Sequence, residues 1–264
     1  MSKKAETEAS RVSLLGAELM KTLRKRDEAV LSSNALELED DFQDLYDGTD
    51  ATEGVALTPP FDPKKLMYLV SHNNTLLQCV SAMEVNVDGT GYDVVSADDE
   101  ELDEDERQRL LDFLNEVYPG KTFTELRREV RRDKESIGYG FIEIIRNLAG
   151  EIVFLKRIPA RTMRMLRLDD PVTVKKSITR GSETVEVEIS VRERRFVQKA
   201  AEKRVYFREY GSSRHVDRRT GQWDENGSLT PAKRGNEVLM LGVIEDHDGP
   251  YFIPRWVNQM PTVL

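Results

Sequence analysis

The hydrophobic period changes once along this chain, near residue 138, and that change limits the folds open to it. Before it, apolar residues recur at helical spacing. Leu66, Leu69, Val70, Leu76, Leu77, Val80 and Met83 form one stripe, Leu110, Phe113, Leu114 and Val117 a second, and Phe123, Leu126 and Val130 a third. After it, apolar and polar residues alternate, most clearly where Glu186, Glu188 and Ser190 separate Val185, Val187, Ile189 and Val191. Helices first and antiparallel hairpins afterwards predict an α+β fold.

The punctuation supports this reading. Asp62 is placed to cap, and Pro63 to open, a helix expected to end near Asp88-Gly89, its stripe broken at Asn73. Gly89 to Val95 predicts a turn into a short strand. Asp98 to Glu106 is acidic at eight of nine positions and leads into the second helix, where carboxylates suit the positive end. A metal site is the sharper reading of that run, but it lacks a glycine or a fixed ligand spacing. Pro119-Gly120 closes the second helix, and Thr122 with Glu125 spells a capping box for the third. The outer side of that third helix is expected to carry Arg127, Arg128, Arg131, Arg132 and Lys134.

Hairpins are predicted from Tyr139–Arg146 and Glu151–Ile158 around Asn147 to Gly150, and from Val172–Thr179 and Thr184–Val191 around Arg180-Gly181-Ser182. Arg204–Tyr210 reads as a further strand, Asp217 to Gly221 as a turn, and Glu237–Ile244 as the last strand. Three parts follow. Residues 1–57 are expected to form a flexible acidic arm, in which 10–31 has helical potential that would be realised only against a partner. Residues 58–137 are helical, and 138–264 are mainly β.

Charge is segregated. The 264 residues carry a formal net charge of −9, yet residues 37–106 hold 20 acids against two lysines, and residues 121–219 hold 25 bases against 15 acids. Three readings are open: neutralisation within one chain, a head-to-tail contact between copies, or a local nucleic-acid face. A protein that grips DNA is usually basic overall, so residues 37–106 are expected to avoid DNA. The isolated chain is expected to bind duplex weakly and without sequence preference.

Motifs for chemistry are missing from the sequence. It has no phosphate loop with its lysine, no GxGxxG after a strand, and no serine nucleophile elbow. His72, His215 and His247 have no neighbours at ligand spacing, and Asp246-His247-Asp248 reads as a loop before Gly249-Pro250. No catalytic, cofactor-binding or metal-binding residue is therefore predicted, and the protein is read as not an enzyme. The single cysteine, Cys79, rules out an intrachain disulfide and is expected to be a buried small hydrophobe. No window approaches the roughly 20 apolar residues of a membrane span, and no signal peptide is visible. A soluble protein made in a reducing compartment is expected.

Four segments, in order, carry a resemblance. They are Thr58-Pro59-Pro60-Phe61-Asp62-Pro63 with the following helix and its His72-Asn73-Asn74; Gly138 to Asn147, then Gly150 and Ile158-Pro159-Ala160; Val205 to Gly211, then Val216 to Gly221; and Asn236-Glu237-Val238-Leu239 with Tyr251 to Trp256. Together they resemble the portal proteins of tailed phages, particularly the PBSX-like portal group. The sequence departs from that pattern at Phe141, at Met240 where histidine is frequent, and at Phe252 where glycine is usual, which puts a tight turn there in doubt.

The resemblance implies a wing-like α+β region of a ring-forming structural subunit, twelve to a ring, at one capsid vertex. The ring would be the conduit for DNA packaging and ejection. Its implied partners are other copies of itself, the large terminase subunit, a head–tail connector or adaptor, capsid and scaffold proteins, and double-stranded DNA in passage. No cofactor and no membrane are implied, and ATP hydrolysis belongs to the motor. Arg127, Arg128, Arg131, Arg132 and Lys134 are the candidate contacts between subunits or with a partner. Portals of this type continue for a similar length again, so a fragment lacking the C-terminal core is expected. The competing readings are another phage virion or adaptor protein, and a metal-dependent nuclease using the acids near 98–106.

Overall fold

A computed structural model describes residues 21, 25, 56–95, 103–180, 183–200, 203–245 and 249–259. The expected helix at 10–31 falls almost wholly outside these residues, as do positions 98–102 of the acidic run and Asp246-His247-Asp248. The described residues contain four α-helices, then ten strands: α1 (Pro63–His72), α2 (Asn74–Asp88), α3 (Glu104–Asn115), α4 (Phe123–Ile137), β1 (Tyr139–Arg146), β2 (Ile152–Ile158), β3 (Met163–Met165), β4 (Val172–Arg180), β5 (Glu183–Val191), β6 (Arg195–Ala200), β7 (Lys203–Glu209), β8 (Glu237–Gly242), β9 (Ile244–Glu245) and β10 (Phe252–Ile253).

The single helix expected from Asp62 to Asp88 is two. Asp62 caps α1 by accepting from the Lys64 amide at 2.9 Å, and Pro63 opens it. At Asn73 the backbone leaves the helical region (φ −105°, ψ 109°), and its side chain accepts from the Leu76 amide at 3.0 Å, which starts α2. An Asn oxygen competes with carbonyls for a backbone N–H, so the residue that interrupts the stripe also ends the helix. Cys79 lies one position off the buried set Leu76, Val80 and Asp88 and is exposed, against expectation. The strand expected before Val95 does not form, because residues 91–95 run without regular structure. Leu110 of α3 is exposed, and Val117 is buried but lies past the end of the helix.

The capping box of α4 forms as read. The Thr122 hydroxyl accepts from the Glu125 amide at 3.3 Å, and the Glu125 carboxylate accepts from the Thr122 amide at 2.8 Å. Gly138, at φ 105°, ends α4 and leads directly into β1. Only glycine fits there, because a Cβ would lie 2.5 Å from the Ile253 carbonyl carbon.

The main sheet has six strands in the order β2-β1-β8-β7-β6-β3. It is mixed, not purely antiparallel: β8 arrives from a distance, inserts between β1 and β7, and runs parallel to β7 (Arg208↔Glu237). Expected as the last strand, it stops at Gly242, and β9 pairs separately with β10. Neither β3 nor β6 was anticipated. Alternate residues of β1 feed two cores, so the sheet is covered on both faces. Tyr139 and Phe141 join Ile158, Met163, Phe196, Phe207 and Val238 with Leu66 of α1, Tyr251 and Val257. Ile142 joins Val117, Leu126 and Val130 beneath α3 and α4. Burying each of the larger side chains stabilises by roughly 1.5–3 kcal/mol.

Each outer edge of this sheet is met by another segment of the chain. On β2 the Leu155 amide donates to the Val117 carbonyl at 2.8 Å. On β3 the Leu57 amide donates to the Met165 carbonyl at 2.7 Å, and Ala56 bridges Leu166. The Tyr251 hydroxyl completes that second contact. It accepts from the Met165 amide and donates to the Leu57 carbonyl, both at 2.9 Å. Contacts of this kind shorten the unpaired ladder through which sheets aggregate.

Candidate assembly surfaces

The five basic residues of α4 share one half of the helix, at spacings that place them side by side. Apart from Arg132, which is exposed, that half does not face outward as expected. It meets α2, where Asp88 sits 3 % exposed. Arg127 reaches one Asp88 oxygen and Arg131 the other, each at 2.7 Å. Burial alone would raise the Asp88 pKa, but the hydrogen bonds and charges of Arg131 and then Arg127 outweigh it, and the carboxyl is held below its ordinary value. Arg132 lies 3.3 Å from Glu84 with half of its side chain in solvent. Arg128 packs beside Gly89, where a Cβ would come within 2.9 Å of its guanidinium. Lys134 is half-buried, and burial followed by the Arg131 charge lowers its pKa. Of the three readings of the segregated charge, neutralisation within the chain accounts for Glu84 and Asp88.

The opposite side of α4 carries Asp133, fully buried. It receives a fork from Arg157 at 2.8 and 2.6 Å and the Ala160 amide at 3.2 Å. This ties the helix to β2 and to the turn beyond it.

A second set of paired charges, buried or half-buried and missed from the sequence, lies on the far half of the sheet. Glu237 sits between Arg146 at 2.9 Å and Arg208 at 2.6 Å. Glu193 accepts from the Ser213 amide, the Ser213 hydroxyl and Arg214 at 2.6, 2.7 and 2.8 Å. Asp169 holds Arg195 at 2.7 Å and the Trp223 indole N–H at 2.6 Å, while Arg195 and Arg214 both lie over the Trp223 ring. The one sequence signal was an acid at the head of an apolar strand, at Glu237. These groups fasten the 211–235 loops to the sheet. Each of the three carboxylates has a guanidinium partner, an arrangement that fixes geometry and leaves no free base.

No group of three or more His, Cys, Asp or Glu residues suited to a metal occurs among the described residues. His72 stacks on Tyr68 with centroids 3.9 Å apart. His215 is half-buried, and burial, then the charges of Arg208 and Arg234, lower its pKa. No helix is long and apolar enough to cross a membrane among the described residues.

The β4–β5 hairpin is a different kind of surface. It forms a two-stranded sheet of its own, separate from the six-stranded one. Its register runs from Val172↔Val191 to Arg180↔Glu183. Val187 and Val191 are 38 % and 39 % exposed.

No family model matches the chain. It is 29 % identical over 232 residues to the uncharacterized protein YqbA of Bacillus subtilis, and 28 % identical over 232 residues to the phage-like element PBSX protein XkdE of the same organism. Each match covers 84 % of this chain but only 43 % and 45 % of the respective relative, so the chain spans less than half the length of the curated relatives it matches. It is thereby related to a protein of a phage-like element. Among solved structures, a chain of the neck of an empty GTA particle, computed with C6 symmetry, aligns with 50 % of this chain and 35 % of its own length, at 18 % identity and a TM-score of 0.38.

Proposed function

We propose that this chain is the N-terminal part of a phage portal protein, a structural subunit of the virion. The observation that carries the reading is similarity to a phage-element protein over 84 % of the chain, together with the four portal-like segments that occur in order between residues 58 and 256. In this reading the subunit works by shape and self-association. Twelve copies ring one capsid vertex, DNA passes through the ring, and the large terminase subunit, a head–tail connector and capsid and scaffold proteins dock on it. The buried ion pairs suit a part that must stay rigid under load, because breaking such a pair leaves an uncompensated charge. Among the basic residues of α4, Arg132, half in solvent, is the one best placed to meet a neighbour as well as Glu84. Arg127, Arg128, Arg131 and Lys134 then act by holding α2 and α4 in place.

The test is location. The protein is tagged in a phage or phage-like element that carries it, and particles are imaged by cryo-electron microscopy with gold labelling. Label at a single vertex per head is expected. Label scattered over the shell or along the tail tube overturns the reading and favours a different virion or adaptor protein.

A further inference from the structure

We propose that the β4–β5 hairpin is a head-to-tail joint, in which the β5 edge of one copy pairs with the β4 edge of the hairpin of the next copy. The proposal deepens the ring reading and rests on it for the identity of the occupant.

Three observations lead here. First, each outer edge of the main sheet already meets another segment of the chain, Val117 at Leu155 of β2 and Ala56-Leu57 at Met165-Leu166 beside β3. Among the described residues the hairpin is a sheet of two strands, so each strand has an outer edge there. Second, one set of register pairs is apolar: Val172↔Val191, Val174↔Ile189 and Ile178↔Val185, with Val187 opposite Lys176. Val187 and Val191 remain more than a third exposed. An isolated two-stranded hairpin is marginal in water and gains from added strands and a covered apolar face.

Third, the charges are sorted by strand. β4 carries Lys175, Lys176 and Arg180 and no acid, whereas β5 carries Glu183, Glu186 and Glu188 and no base. Charged edge strands usually guard against self-pairing, but that guard works only when the two edges share a sign. With opposite signs, β4 against β4 or β5 against β5 is repulsive, and β5 against β4 is attractive. The strand order then continues β4-β5-β4-β5 in antiparallel alternation, by strand addition. Such a contact joins unlike surfaces, which is the geometry that closes into rings.

The test uses the whole 264-residue chain and sedimentation velocity across the micromolar range. Three variants are compared with it: Lys175→Glu with Lys176→Glu, Glu186→Lys with Glu188→Lys, and all four together. The parent chain self-associates, and more weakly as salt rises. Each double variant self-associates about ten-fold less, equivalent to about 1.4 kcal/mol. The two double variants, which remain mispaired within their own hairpins, associate with each other when mixed. The fourfold variant recovers self-association but does not mix with the parent. A monomeric parent chain, double variants that associate like the parent, or a mixture of the two that fails to associate would each overturn the joint. Those results leave the ring reading to its own test, particle location. Label scattered over particles, with the charge-dependent pairing intact in solution, removes the ring and leaves the joint.

Discussion

Asp133 is the residue whose loss should cost most. Its carboxylate is fully buried and holds two guanidinium bonds and one amide, so Asp133→Ala strands the Arg157 charge against the sheet. A loss of about 3 kcal/mol is expected, measured as a fall in the urea midpoint with the slope unchanged. Asp88 is tied as closely, but one of its two partners, Arg131, keeps a second acid within reach, Glu135 at 3.6 Å, and the other, Arg127, has 31 % of its side chain in solvent. Its removal should therefore cost less, about 2 kcal/mol. The direction of the pH dependence follows from the titrating groups. His215, Asp88 and Glu193 all have native pKa values below their ordinary 6.5, 3.8 and 4.5, so the unfolded chain binds more protons as the pH falls. Stability should be greatest above the ordinary imidazole value of 6.5. It should decline first as His215 protonates in the unfolded state, and again below the ordinary carboxyl values as acid reaches Asp88 and Glu193. His215→Gln should remove only the first decline in urea midpoints taken across pH. A decline that persists in that variant would assign it to another group.

Helix α4 is the element on which the rest is hung, and its two ends are sensitive for different reasons. Thr122→Ala removes one bond of a reciprocal cap and should cost about 1 kcal/mol. Gly138→Ala places a side chain at φ 105° and against Ile253, and should cost about 2–3 kcal/mol. Thermal unfolding of the two variants should rank them in that order. The first end was legible in the sequence because a cap is local, spelled within four residues; the second showed only as the change of period near residue 138, and Gly138 was not read as a left-handed stop. The β1–β2 and β4–β5 hairpins were legible for the same reason as the cap. The split at Asn73 was half legible: the break in the stripe was visible, but its meaning depended on an Asn side chain choosing the Leu76 amide. Strand β6 escaped because Phe196-Val197 between charged residues is too short an apolar run to read. The basic row of α4 was read correctly as a row, but only Arg132 faces outward as expected, because the row's partner Asp88 lies 43 residues from Arg131, beyond the reach of any local pattern.

At the scale of the whole molecule, contacts distant in sequence decide the architecture. The Tyr251 hydroxyl bonds Leu57, 194 residues away, and Met165, 86 residues away, and α1 shares a core with the C-terminal segment. No period in the sequence encodes either contact. Nor does any period place β8 between β1 and β7, and that placement governs the order of events during synthesis. The β1–β2 and β6–β7 ribbons are both translated before residue 237, but each must wait with one flank unfilled until the ribosome has released the strand that lies between them. A nascent chain in that interval presents two sticky margins at once. Production of the protein should therefore depend on chaperone supply, and a stop codon placed just before Glu237 should yield insoluble material where one placed after Gln259 does not.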